Sequence, residues 1–278
     1  MPAVMVLVGI VSVQFGAGLA DRLFEQVPPA AVTGLRLWTS ALAMSAIAGR
    51  GLVHSLRDLR ERRAFSDAAV AISFGLALGV MNFSIYQAFA RIPLGVAVTI
   101  EFLGPLAVAV AGSRHLRDLG WVALAAAGVV LLTQGGPGHL NLAGIAFAGL
   151  AAVSWAAYIV LSSATGRRFP GSTGLAIAMV VSAILVTPPA LIAGGSAMFR
   201  PAVLLTGAAI GILSSVIPYR LELESLRRMP MRLFGVWMSA EPAVAALIGL
   251  AMLGQHLTAL EWLAICCVTA ACAGAARH

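Results

Sequence analysis

Ten stretches of apolar residues, each long enough to cross a lipid bilayer, follow one another along the 278-residue chain. A bilayer core about 30 Å thick needs about 20 apolar residues per helix. The predicted spans lie at residues 3–20, 29–49, 66–89, 93–113, 119–135, 141–163, 172–193, 202–224, 231–253 and 258–275. Most connections are short, so consecutive helices must be antiparallel neighbours. The sequence therefore predicts an all-α polytopic membrane protein with ten transmembrane helices.

The composition agrees with a membrane protein and argues against a soluble domain. Apolar residues make up 60% of the chain and charged residues 10%, whereas soluble domains contain about 45–50% and about 25%. The first stretch has no basic segment before it, so we interpret it as a retained helix rather than a signal peptide. All 18 basic residues are arginines, mostly between spans and without a basic stripe, which argues against nucleic-acid binding.

The arginines are distributed unequally between the two sides of the membrane that ten spans define. The side with both termini holds 13, and the opposite side holds 3, which are Arg22, Arg91 and Arg200. The 13 are Arg50, Arg57, Arg60, Arg62, Arg63, Arg114, Arg117, Arg167, Arg168, Arg227, Arg228, Arg232 and Arg277. Arginine-rich loops stay in the cytoplasm, so both termini are predicted to be cytoplasmic.

Several short motifs recur about 140 residues apart, which indicates an internal duplication. The matching pairs are Thr33-Gly34-Leu35 with Thr173-Gly174-Leu175, Gly95-Val96 with Gly235-Val236, Glu101 with Glu241, and Trp121 with Trp262. The halves, 1–137 and 138–278, then have five spans each. An odd number places them in opposite orientations, and such inverted repeats are typical of secondary transporters. A duplicated helical bundle with no transport role is the alternative.

Two glutamates lie near the middle of predicted spans, at equivalent positions of the two halves. Glu101 is the ninth residue of its span and Glu241 the eleventh. An ionisable group at this depth costs at least about 2.5–3.5 kcal/mol, so it usually faces a cavity or a partner. Pro105 and Pro242 lie close by, and each removes the helical hydrogen bond to the carbonyl four residues earlier. Broken helices at matching places indicate a transporter site, and a harmless kink is the alternative.

Arg36 lies inside the second span and has no charged counterpart, because the equivalent position 140 residues later is Ala176. An arginine stays protonated, and its planar guanidinium group fits a carboxylate. Two interpretations are open. Arg36 forms a static pair with Glu101, or it binds a substrate carboxylate and exchanges partners during transport.

Further polar, acidic or aromatic residues inside the spans are candidates for the same site. They are Gln14, Asn82, Trp155, Tyr158 and Glu222. Ordinary hydrogen bonding or packing between helices is the alternative for each of them. Arg220 and Glu224 are spaced i, i+4 near the cytoplasmic end of their span, which predicts a simple ion pair.

An ordered set of motifs extends over nearly the whole chain. It comprises Thr33-Gly34-Leu35-Arg36-Leu37, Met81-Asn82, Pro93-Leu94-Gly95-Val96-Ala97-Val98, Glu101-Phe102, Gly104-Pro105-Leu106-Ala107-Val108-Ala109, Trp155-Ala156-Ala157-Tyr158-Ile159, Pro218-Tyr219 with Glu222, and Met238-Ser239-Ala240-Glu241-Pro242-Ala243. These motifs resemble the drug/metabolite transporter superfamily with two EamA-type repeats, and within it the bacterial inner-membrane threonine/homoserine exporters. The resemblance implies efflux of small hydrophilic amino acids driven by proton antiport.

Other functions are weighed against this expectation. Export of another metabolite or a drug on the same scaffold is one alternative, and an intramembrane enzyme or a membrane scaffold is another. No HExxH, GxSxG or GxGD motif is present, and no lysine, so we predict no enzyme and no cofactor. The three cysteines lie in the last span without metal-ligand spacing. The predicted partners are a small-molecule substrate, protons and the bilayer.

Overall fold

The computed structural model describes residues 2–61, 65–111, 118–133 and 141–276. Regular structure in the first half consists of α1 (Pro2–Leu23), α2 (Pro29–Ala48), α3 (Arg50–Glu61), α4 (Phe65–Phe89), α5 (Leu94–Glu101), α6 (Leu103–Ala111) and α7 (Asp118–Thr133). The second half contains α8 (Leu142–Gly166), α9 (Thr173–Gly194), α10 (Pro201–Gly211), α11 (Ile217–Leu226), α12 (Met231–Met238), α13 (Glu241–Leu253) and α14 (Ala259–Ala275). A 3₁₀ segment (Gly195–Phe199) follows α9, and a π-helical segment (Ile212–Val216) joins α10 to α11.

Eight helical stretches in the described ranges are long and apolar enough to cross a membrane, which confirms the predicted polytopic class. The shorter apolar helices Leu119–Leu132 and Ala259–Ala275 coincide with the fifth and tenth predicted spans. The total of ten spans therefore stays a prediction. Many side chains on the outer surface are apolar, such as Ile192 at 85% exposure and Leu142 at 79%, as expected for contact with lipid.

Some sequence predictions fall on residues that the structure does not describe. These are the ends of the spans predicted at 93–113 and 119–135, the boundary between the two halves, and Arg62, Arg63, Arg114, Arg117 and Arg277.

The structure contains one helix that the hydropathy pattern did not predict. Helix α3 occupies the connection between the second and third spans. It carries His54, Arg57 and Asp58 and is too polar to resemble a span. Its Ser55 is buried, and the helix packs on α9.

The helices that carry Glu101 and Glu241 are interrupted next to these residues. Helix α5 ends at Glu101, and α6 begins at Leu103, two residues before Pro105. Helix α12 ends at Met238, and α13 begins at Glu241 with Pro242 in its first turn. Because proline has no N–H, neither helix can continue its hydrogen bonds through these points.

The helices of residues 1–137 pack against those of residues 138–278 in equivalent pairs. In this comparison α1, α2, α4, α5 and α6 correspond to α8, α9, α10 with α11, α12 and α13. Helix α4 packs on α8, as α1 packs on α11; α4 also packs on α9, as α2 packs on α10. Helices α5 and α6 pack on α8, as α12 and α13 pack on α1. Helix α2 also meets α9, and α5 meets α13. These contacts bring the two interrupted helices together between the halves.

Gly104 in α6 lies against the backbone of α8. A Cβ atom at this position would be 2.1 Å from the carbonyl oxygen of Ala152. Because a backbone oxygen cannot move aside cheaply, we expect Gly104→Ala to destabilise the protein by about 1–3 kcal/mol and to lower its melting temperature in detergent. Gly149→Ala in α8 is the matched control, because a Cβ atom there meets open space. Equal melting temperatures of the two variants would contradict the close approach of α6 to α8.

Candidate functional site

A central cavity of about 250 Å³ lies between the two halves. Side chains from α1, α2, α4, α5, α8, α11, α12 and α13 and from the π-helical segment form its wall. The eight side chains that the sequence singled out all line this cavity. They are Gln14, Arg36, Asn82, Glu101, Trp155, Tyr158, Glu222 and Glu241.

The guanidinium group of Arg36 faces the cavity without a carboxylate partner. It lies 5.1 Å from the centre of the Tyr86 ring, and its Nη2 donates to the carbonyl oxygen of Ser214 over 3.3 Å. Its Nε atom is buried and has no hydrogen-bond partner in the described ranges. Among the described residues, Arg36 forms no ion pair, so the static pair with Glu101 is not formed in this structure.

Arg36 donates to a carbonyl that lies one turn before a proline. Pro218 lies four residues after Ser214, and its missing N–H removes the α-helical donor for the Ser214 carbonyl. The π-helical segment ends just before this proline, at Val216. The sequence analysis predicts a lost helical hydrogen bond at Pro105 and Pro242 but not at Pro218. The absence of an N–H in proline applies equally to Pro218 and the Ser214 carbonyl.

Glu101 is the last residue of α5 and is 8% exposed. Its carboxylate lines the cavity and receives no hydrogen bond from the described residues. Glu241 and Arg36 are the charged groups close enough to influence it electrostatically. The carboxylate is therefore free to interact with whatever occupies the cavity.

Glu241 begins α13 and has a defined neighbour. The Gln14 amide Nε2 in α1 donates to Glu241 Oε1 over 2.9 Å. Glu222 in α11 is close enough to act on Glu241 electrostatically. The two glutamates, which lie 140 residues apart in the sequence, thus have different surroundings.

Aromatic residues form much of the remaining wall. The Trp155 ring packs edge-on against Phe102, with ring centres 4.9 Å apart, at the interruption between α5 and α6. The Tyr158 ring packs on Phe74 at 5.1 Å, and its hydroxyl group lies close to that of Tyr219. These contacts fix the rings of α8 against α4, α11 and the interruption between α5 and α6.

Asn82 uses its amide donor within its own helix. Its Nδ2 donates to the Leu78 carbonyl over 2.8 Å. Among the described residues Asn82 makes no hydrogen bond to another helix, so packing is the remaining alternative to substrate contact.

The predicted ion pair of Arg220 with Glu224 is wrong. Arg228 Nε donates to Glu224 Oε1 over 2.7 Å, and Arg227 lies 3.5 Å from Oε2. The hydrogen bond from Arg228 lowers the pKa of Glu224 below its ordinary value. Both partners lie three or four residues after Glu224, which is a spacing as favourable as the predicted one.

The chain is similar to transporters over nearly its whole length. Residues 142–277 match the EamA-like transporter family. The threonine/homoserine exporters RhtA of Salmonella typhimurium and Escherichia coli K12 are 37% identical to it over 276 residues, covering 99% of this chain and 90% of each relative. The uncharacterised transporter YwfM of Bacillus subtilis is 32% identical over 155 residues, covering 55% of this chain and 52% of its own.

A solved crystal structure has the same overall fold. It superimposes with a TM-score of 0.63 at 19% sequence identity and covers 97% of this chain and 95% of its own.

Proposed function

Because this chain belongs to the EamA-like transporter family of the drug/metabolite transporter superfamily, we propose that it exports small amino acids of the threonine/homoserine type across the bacterial inner membrane. The observation that carries this proposal is the guanidinium group of Arg36, which faces the cavity without a carboxylate partner. A guanidinium group binds a carboxylate through two parallel hydrogen bonds, and every amino acid offers such a group. The export direction comes from the similarity to the RhtA exporters.

The size of the cavity favours a small metabolite over a drug. Its volume of about 250 Å³ is below the range of about 300–1,000 Å³ for pockets that enclose drug-sized ligands.

Proton antiport is the proposed driving force, with Glu101 as the proton carrier. Its carboxylate lines the cavity, has no hydrogen bond from the described residues, and is within electrostatic range of Arg36. A carboxylate with such surroundings can bind or release a proton when a charged substrate arrives or leaves. Intramembrane carboxylates often act as proton relays in transporters.

The proposed architecture is ten spans in two inverted repeats, 1–137 and 138–278. The matching helix contacts between the halves support this arrangement, as do the paired interruptions at Glu101 and Glu241. The two short apolar helices α7 and α14 supply the fifth and tenth spans.

Reporter fusions test the membrane topology. We expect fusions after residues 55 and 278 to report the cytoplasm and a fusion after residue 137 to report the periplasm, because 13 arginines lie on one side and 3 on the other. A periplasmic C-terminus would exclude two five-span halves of opposite orientation.

Flux through purified protein in liposomes tests the proposed function. We expect exchange of radiolabelled threonine that unlabelled homoserine inhibits and that empty liposomes lack. A large organic cation should not inhibit it, because the cavity is small. An absence of amino-acid flux together with flux of another metabolite would support the alternative exporter, and an absence of any flux would leave a scaffold or an enzyme.

A further inference from the structure

Gln14 and Glu241 form a buried pair whose hydrogen-bonding capacity is only partly used. One bond joins Gln14 Nε2 to Glu241 Oε1, and the two side chains are 2% and 7% exposed. The other oxygen of each side chain, Gln14 Oε1 and Glu241 Oε2, is buried and has no partner in the part of the chain that the structure describes. Native proteins rarely leave buried polar atoms unpaired, so each such atom calls for an explanation.

The two unpaired oxygens are an amide oxygen and a carboxylate oxygen. Together they favour a ligand with several N–H donors and a positive charge. A primary ammonium group carries three donors and can bond to both oxygens at once. A proton on Glu241 would turn Oε2 into a donor toward the Gln14 oxygen, so an ammonium site requires Glu241 in its ionised form. A metal ion is less suitable, because none of the described residues forms a cluster of three or more His, Cys, Asp or Glu side chains that could hold one.

The repeat counterpart of this pair differs in composition. The position 140 residues after Gln14 is Ser154, which does not line the cavity, and the counterpart of Glu241 is Glu101. Glu101 receives no hydrogen bond from the described residues, whereas an amide holds Glu241 in place. A binding group benefits from such fixed geometry, whereas a group that exchanges a proton needs freedom to change partners.

We propose that Gln14 Oε1 and Glu241 Oε2 bind the α-ammonium group of the substrate while Arg36 binds its carboxylate. This inference rests on the proposed function and narrows its substrate class to zwitterions in which both groups are free. The residues around Arg36 also have unpaired buried atoms, which are Arg36 Nε, the Tyr86 hydroxyl and Ser214 Oγ. A carboxylic acid without the amino group can bind to these groups but has no donor for the Gln14–Glu241 pair.

Ligand-induced thermal stabilisation of the purified protein tests the inference with two probes. The probes are L-threonine and 3-hydroxybutanoate, which is threonine with hydrogen in place of the amino group. We expect the wild type to bind 3-hydroxybutanoate at least about 10-fold more weakly than threonine, because hydrogen bonds that involve charged groups are strong. Equal affinities would overturn the inference while leaving an amino-acid exporter in place, whereas no binding of threonine or homoserine would overturn the proposed function itself.

Variants of the pair and of its repeat counterpart sharpen the test. Glu241→Gln keeps the shape and removes the charge, so threonine affinity should fall about 10-fold or more and discrimination against 3-hydroxybutanoate should largely disappear. Gln14→Leu should reduce the same discrimination. Ser154→Ala is the matched control and should leave both affinities unchanged. If Glu241→Gln melts cooperatively and still prefers threonine to 3-hydroxybutanoate as the wild type does, the ammonium group binds elsewhere. If Glu241→Gln does not fold, the same preference measured with Gln14→Leu decides the question.

Discussion

Glu101→Gln is expected to abolish proton-driven accumulation of amino acid in energised inside-out vesicles. The substitution keeps the size of a side chain that lines the cavity but removes the carboxylate that is proposed to carry the proton. Exchange of one proton for one zwitterion moves one net charge, which is worth about 2.3 kcal/mol at 100 mV. That free energy corresponds to about 50-fold accumulation at equilibrium. The variant should lose this accumulation entirely.

Substrate exchange without a gradient should partly survive in the same preparation. Exchange moves no net proton, and the groups proposed to bind substrate, Arg36 and the Gln14–Glu241 pair, remain in place. Glu241→Gln, measured alongside, should weaken substrate binding instead. Accumulation by Glu101→Gln with undiminished pH dependence would move the coupling proton to another group, with Glu241 the first candidate.

Arg36→Lys is expected to reduce transport by about tenfold or more while leaving expression nearly intact. Lysine keeps the positive charge but has neither the planar group that stacks on Tyr86 nor the paired donors that fit a carboxylate. The loss should appear mainly as a higher KM in threonine exchange, because the interaction is proposed to bind the substrate rather than to move the proton.

Arg91→Lys is the matched control for this prediction. Arg91 also lies over an aromatic ring, 5.1 Å from the centre of Phe147, and donates to a backbone carbonyl, that of Gln87. It does not line the central cavity. The control variant should transport at nearly the wild-type rate. Normal transport by Arg36→Lys would reduce Arg36 to a structural partner of Tyr86 and Ser214.

Hydropathy and charge predicted the spans and the residues of the cavity because the bilayer constrains both. A polar group within a span needs a cavity or a partner, so the few such residues lie together at the centre. Glu101, Glu241 and Arg36 were identifiable on this ground alone. The depth of Glu222 in its span was a weaker signal, yet its side chain lines the same cavity.

The features that escaped prediction depend on packing or on backbone geometry. Helix α3 is polar and short, so no membrane criterion identifies it. Tyr86 has an ordinary position in an apolar helix, and only the approach of α2 to α4 places its ring beneath Arg36. The partner of Glu224 was undetermined because several arginines stand at favourable spacings, and local helix geometry selected Arg228.

Three prolines follow residues of the cavity wall at a distance of four positions. Pro105, Pro218 and Pro242 lack the N–H that would bond to the main-chain carbonyls of Glu101, Ser214 and Met238 in a regular α-helix, and all three of these residues line the cavity. An alanine scan leaves every one of these oxygens in place. Such a scan therefore underestimates how much the main chain contributes to recognition. Replacing one of these prolines by alanine restores an N–H that can bond to the carbonyl four residues earlier, and this change can alter specificity without removing a polar side chain. Genetic screens for altered export should accordingly recover changes at proline positions as well as at charged ones.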